Sequence, residues 1–163
     1  MEQISFLEEK IPMTACVFTG HRELEKDFSL KQLKRLIETL ILKGVSSFYC
    51  GMAEGFDLFA SKTVISLKKK YPHIQLIACI PCLNQEKYFS SENKKLYVKM
   101  LSTCDEKVIL SPSYHKGCML NRNKYMVDRC DCMIAYCKKD TGGTAFTVKY
   151  FQKTKNKTNI FFL

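Results

Sequence analysis

Short apolar runs alternate with longer stretches of helical period along nearly the whole chain, and most of the runs stop at glycine or proline. Thr14 to Phe18 stops at Thr19-Gly20, Val45 to Cys50 at Gly51, and Ile74 to Ile80 at Pro81. Lys107 to Leu110 stops at Ser111-Pro112, Cys132 to Tyr136 leads towards Thr141-Gly142-Gly143-Thr144, and Asn159 to Leu163 closes the chain. These six runs are predicted strands. Between the first two, Leu30, Leu33, Ile37, Leu40 and Ile41 recur at helical spacing, with Ser29 as N-cap and Gly44 as C-cap. Phe56, Phe59, Ala60, Val64 and Leu67 mark a second helix, stopped before Tyr71-Pro72. A Lys-rich helical stretch over about 84–102, then helices over 119–129 and 145–153, complete the pattern. Residues 1–12 read as an irregular lead-in and 111–118 as a loop. Ile74 to Ile80 is apolar on both faces, which suits a central parallel strand covered by helices. An α/β sandwich on a mostly parallel sheet of about six strands follows, as one domain over 1–163.

Composition narrows the function classes. At 163 residues with 46% hydrophobic content the chain can bury one sizeable core, and disorder is excluded. No apolar run reaches the roughly 18 residues that span a bilayer. The N-terminal residues lack the basic-then-apolar pattern of a secretion signal. The expectation is a soluble cytoplasmic protein without a membrane partner. Nine cysteines, an odd count set mostly in strand-like runs, read as buried thiols. The net charge of +10 invites a nucleic-acid reading, yet only four of the 26 basic residues are arginine: Arg22, Arg35, Arg122 and Arg129. The lysines are scattered over solvated faces, so nucleic acid ranks below a small-molecule partner.

Three of the glycine turns follow predicted strands: Thr19-Gly20-His21-Arg22, Gly51-Met52-Ala53-Glu54-Gly55 and Thr141-Gly142-Gly143-Thr144. In an open parallel sheet all strand C-termini share one edge, and ligands bind in the crevice there. The three turns therefore converge. Helix starts behind them offer unpaired N–H groups and a positive dipole end, for which phosphate is the natural guest. None of the turns matches a P-loop or a G-x-G-x-x-G fingerprint. His21-Arg22 is either a surface pair or a charged fork at the crevice mouth. Asp57 is either a favourable first-turn carboxylate or an acceptor for ribose hydroxyls. Asn121, Lys124 and Asp128 share one helix side with Arg122 and Asn123 adjoining, either as a solvated face or as part of the site.

These motifs resemble, in order, those of the YpsA-type proteins of the SLOG superfamily, a Rossmann-like group that includes the DprA and LOG proteins. The matching stretches are Thr19–Arg22, Cys50–Asp57, Asn121–Asp128 and Gly142–Thr144, and the resemblance covers about 13–163. It implies a Rossmann-like three-layer sandwich and a pocket for a nucleotide or nucleotide-derived ligand. The implied lining is Gly20, His21, Arg22, Gly51, Met52, Ala53, Gly55, Asp57, Arg122, Asn123, Asp128, Gly142, Gly143 and Thr144. Among the relatives, LOG enzymes hydrolyse nucleotide N-glycosidic bonds, DprA binds single-stranded DNA, and others sense or sequester NAD-derived signals. The LOG pattern carries a glutamate where this chain has Thr147. Threonine has no carboxylate to act as base or to stabilise an oxocarbenium ion. The expectation is therefore binding, sensing or sequestration of an ADP-ribose-like, NAD-like or cyclic nucleotide, with no catalytic residue assigned. Hydrolysis of an N-glycosidic bond is the alternative, and single-stranded nucleic-acid binding is the second. No cofactor or metal is expected. Self-association is expected by resemblance. Cys79-Ile80-Pro81-Cys82 resembles a redox motif, but it ends a strand instead of opening a helix, so it is read as incidental.

Overall fold

Along the first strand successive side chains serve two different cores: Cys16 and Phe18 face one layer, and Val17 faces the other. The computed structural model describes residues 12–163, so the expected lead-in lies almost wholly outside the described residues. Strands β1 (Ala15–Gly20), β2 (Ser47–Cys50), β3 (Gln75–Ile80), β4 (Glu106–Ile109), β5 (Cys132–Tyr136) and β6 (Ile160–Phe162) form one sheet. Their order is β4-β3-β2-β1-β5-β6, and every neighbouring pair is parallel. Helices α1 (Leu30–Leu42), α2 (Phe56–Leu67) and α3 (Ser91–Thr103) pack on one face. Helices α4 (Cys118–Asp128) and α5 (Gly143–Thr154) cover the other. The result is a Rossmann-like three-layer α/β sandwich, as the alternation of periods implies. Among the described residues no helix is long and apolar enough to cross a membrane.

Local chemistry explains most element ends. The Ser29 side chain accepts the Gln32 N–H at 3.2 Å and caps α1. Gly44, at φ +113°, turns the chain out of that helix into β2. All nine cysteines are free thiols and seven are buried, four of them (Cys16, Cys50, Cys79 and Cys132) at strand positions as small hydrophobes.

Several element ends differ from expectation by one or two residues, and two differences bear on the site. The Lys-rich stretch is not one helix: Asn84 sits in the left-handed region at φ 63°, a 3-10 turn spans Gln85–Tyr88, and α3 starts afresh after Ser90. The Ser90 hydroxyl accepts the Asn93 N–H at 3.2 Å, and this cap won over continuous periodicity. Helix α5 begins at Gly143, two residues ahead of the predicted Ala145, so the second glycine of the pair belongs to its first turn.

Candidate functional site

The chain builds β1 through β4 outward in one direction, then returns to place β5 on the other side of β1. The loops after β1 and β5 therefore splay apart, and a crevice opens between them at the strands' C-terminal edge. A cavity of about 360 Å³ lies there. Thr19 to Arg22 form one wall, Lys139 and Thr141 to Thr144 another, and Ala53, Asp57, Met119, Arg122 and Asn123 the rest. Phe18 also lines it, and an aromatic cluster packs behind Phe18 and Gly20. Phe56 stacks on Tyr136 at 6.0 Å, Phe18 and Phe28 meet Phe56 edge-on, and the Tyr136 hydroxyl accepts the Glu25 N–H at 2.9 Å. That packing makes a rigid base under a polar opening.

Asp57 is the most informative group. It is only 6% exposed, one oxygen accepts the Ala53 N–H at 3.2 Å, and the other has no hydrogen-bond partner among the described residues. Burial pushes its carboxyl up to about 6, against the lowering pull of the Arg122 charge and the Ala53 N–H. A buried carboxylate oxygen left without a donor costs free energy unless something else supplies one.

Arg122 is 4% exposed and sits behind the crevice. Its Nη1 donates to the carbonyls of Gly51 and Cys79, its Nε donates to Asn123 Oδ1 at 2.8 Å, and its Nη2 meets only the Met119 thioether at 4.0 Å. Burial draws its pKa downward, opposed chiefly by the Asp57 charge. Two buried groups of opposite sign thus face a polar crevice, each with unspent hydrogen-bonding capacity.

A relay fixes the glycine pair. Asn123 Nδ2 donates to Thr147 Oγ1 at 2.9 Å, and that hydroxyl donates to the Gly143 carbonyl at 2.7 Å. Thr147, 1% exposed, is thus a tie between α4 and the first turn of α5. Thr147→Val keeps the shape but leaves a buried amide donor unsatisfied. It should cost about 1–2 kcal/mol in urea unfolding; unchanged stability would argue against the relay. Opposite it, His21 Nε2 accepts the Lys138 N–H at 2.8 Å, which pins the β5 loop to the β1 loop. Burial, helped by nearby Lys139, keeps the His21 pKa below its ordinary value, consistent with a neutral acceptor.

The expected site residues divide into two groups. Gly20, His21, Arg22, Ala53, Asp57, Arg122, Asn123, Gly142, Gly143 and Thr144 line the crevice. Gly51, Met52, Gly55 and Asp128 do not. Gly55, at φ +84°, lies against the Arg22 carbonyl, where a side chain would overlap backbone, so it shapes the turn behind the wall. Gly51 gives its space to the Arg122 guanidinium, and Met52 is fully buried. Asp128, at the far end of α4, accepts a hydrogen bond from Tyr150 Oη at 2.7 Å. Asn121 and Lys124 are exposed, with Lys124 lying over the Phe146 and Tyr150 rings. Gly142, at φ +96° and ψ −177°, adopts a conformation open almost solely to glycine, and no side-chain oxygen caps α5. The first N–H groups of that helix therefore stand at the crevice.

Sequence reasoning missed Met119 and Lys139, and it named Thr19 only as part of its turn. Lys139 follows β5 on the ligand edge, and its place between a strand end and a glycine pair was the available signal. Thr19 is the last residue but one of β1, beside Gly20. Met119 carries no chemical signature.

A parallel doubly wound sheet with a polar crevice at its switch point defines a Rossmann-like α/β protein. The family model described as the YspA SLOG family (YpsA) matches residues 15–163, and the chain belongs to that family. It is 32% identical over 136 residues to the SPbeta prophage-derived protein YoqJ of Bacillus subtilis, a match that covers 76% of this chain and 80% of that protein. Among solved structures, DNA processing protein A of Helicobacter pylori superposes with a TM-score of 0.65 at 18% identity. That match covers 93% of this chain and 65% of that one, whose structure was solved for its mode of single-stranded DNA binding. DprA of Streptococcus pneumoniae gives the same TM-score and identity, over 92% of this chain and 50% of its own. At such identity these two structures speak for the fold alone.

Proposed function

We propose that the crevice binds a phosphorylated, ribose-containing small molecule and holds it without cleaving it. The carrying observation is the buried Asp57 oxygen without a donor, in a crevice bordered by Arg22, Arg122, Lys139 and the uncapped start of α5. Ribose hydroxyls are donors of the right kind for that oxygen. Phosphate oxygens suit the arginines and the first amides of α5. Thr147 supports binding over hydrolysis, because its hydroxyl is already spent on Asn123 and Gly143 and no carboxylate stands in its place.

A thermal-shift screen with nucleotides, ADP-ribose and cyclic nucleotides tests this. A ligand at about 100-fold over its dissociation constant should add about 2.7 kcal/mol, and Arg22→Ala should remove the shift. Folded protein with no shift across the panel would sink the proposal. Recovery of intact ligand after denaturation supports holding; free base or ribose phosphate supports an N-glycosidic hydrolase.

A second reading, single-stranded nucleic-acid binding, is favoured by the fold shared with DprA and by the net charge of +10. It predicts affinity that falls steeply with salt. A tight, salt-insensitive complex with a mononucleotide would count against it.

A further inference from the structure

A second groove of about 540 Å³ adjoins the crevice and shares Arg22, Ala53 and Met119 with it. Its chemistry differs. Leu83, Tyr88, Phe89 and Tyr114 give it an apolar, aromatic lining, with Asn84 and Lys87 at its polar margin. Tyr88 is 87% exposed and Tyr114 71%, while Leu83 is half exposed. Large apolar side chains gathered around one concave surface, and not scattered singly, mark a binding surface.

The groove is held in place by the same turn that holds the crevice. Gln85 Nε2, buried, donates to the Gly51 carbonyl at 3.1 Å, and the 3-10 turn it belongs to bears Tyr88. Glu54 accepts from the Ser90 N–H at 3.1 Å and from Asn93 Nδ2 at 2.7 Å, tying the start of α3 to the glycine turn. The ring of Phe89 packs edge-on to Tyr97 at 5.6 Å. Tyr88, with the Lys87 ammonium over its ring at 5.3 Å, is thus carried on a braced turn, and exposed Tyr114 and Arg22 line the same groove.

We propose that this groove seats the nucleobase of the ligand whose phosphate and ribose occupy the crevice. The inference rests on the proposed function of the crevice, with which the groove is continuous through Arg22, Ala53 and Met119. A planar base offers a π-face to tyrosine and an apolar edge to Leu83 and Met119. Stacking of that kind tolerates any base and is worth roughly 5- to 100-fold in affinity per base. The occupant is a free nucleotide: the crevice accommodates one phosphate-ribose unit beside one aromatic seat.

Calorimetry decides the matter by comparing AMP and ADP-ribose with ribose 5-phosphate, which lacks the base. Wild-type protein should bind at least one of the base-bearing probes about 5- to 100-fold more tightly than ribose 5-phosphate. The double substitution Tyr88→Ala, Tyr114→Ala should erase most of that gain and leave ribose 5-phosphate affinity within about twofold. The chain has eight tyrosines and no tryptophan, so the part of the tyrosine-emission quench that the double variant loses reports the stacking. Ribose 5-phosphate binding that depends on Arg22, with no gain from a base or no loss in the double variant, overturns the groove and leaves the crevice standing. Failure of every probe on wild-type protein overturns both. If only an oligo-dT strand loses affinity on tyrosine substitution, the groove serves a nucleic-acid chain and the proposal is wrong.

Discussion

Arg122→Met should destabilise the protein by about 3–5 kcal/mol at pH 8, and by clearly less at pH 5. The guanidinium donates to the Gly51 and Cys79 carbonyls and to Asn123, and it is the cation that most offsets the buried Asp57 charge. Methionine fills part of the volume but supplies no donors, so acceptors at the back of the crevice lose partners. The pH dependence follows from Asp57. Without Arg122 its carboxyl should rise above about 6, so at pH 8 an ionised group stays buried with little compensation, whereas at pH 5 it is protonated. Urea unfolding at the two pH values measures both effects. A loss below about 1 kcal/mol, or one equal at both pH values, would show that Arg122 does not hold the site together.

Asp57→Asn should move stability the other way and, under the proposed function, weaken ligand binding. Its folded pKa of about 6 exceeds the ordinary 3.8, so the folded protein holds this proton more tightly than the unfolded chain. Its contribution to stability is complete below about 3.8 and is lost as pH rises through 6. The difference corresponds to up to about 3 kcal/mol at pH 8. Asparagine resembles the protonated acid and escapes that loss, so the variant should gain up to about 3 kcal/mol at pH 8 and almost nothing at pH 4. Under the proposed function it offers the ribose hydroxyls one neutral amide oxygen in place of a charged carboxylate, a weaker acceptor, so affinity should fall. Combining it with Arg122→Met should destabilise less than the two single effects predict, because the two charges interact. Stability at pH 8 that falls in Asp57→Asn, or ligand affinity that survives, would contradict a binding role for this carboxylate. A buried charge retained against stability is the pattern expected of a functional site.

Strand and helix order was legible because apolar period and glycine punctuation are local properties. The run Ile74 to Ile80 announced a strand buried on both faces, and β3 lies between β2 and β4. Ser29 and Gly44 announced the two ends of α1. The 3-10 turn at Gln85–Tyr88 was hidden because its lysines and apolar residues continue the helical period of α3, and only the Ser90 cap separates the two.

Part of the crevice lining was legible too. Gly20, Arg22, Asp57 and Gly142 to Thr144 follow strands or open helices, and a parallel sheet gathers such positions on one edge. What each residue does there depended on neighbours far along the chain. Gly51 looked like a ligand contact and instead leaves room for a guanidinium 71 residues away in sequence. Asp128 matched a motif by spacing, yet it sits at the far end of α4 from the crevice.

The sequence by itself determined the alternation of elements, the parallel sheet and the edge on which the glycine turns meet. Those follow from periodicity and backbone freedom within a few residues. Only the tertiary structure decided that Asp57 is buried with an unpaired oxygen, that Arg122 stands behind it, and that Thr147 is already engaged. Burial and hydrogen-bond satisfaction arise from side chains brought together across the fold, and no local pattern records them.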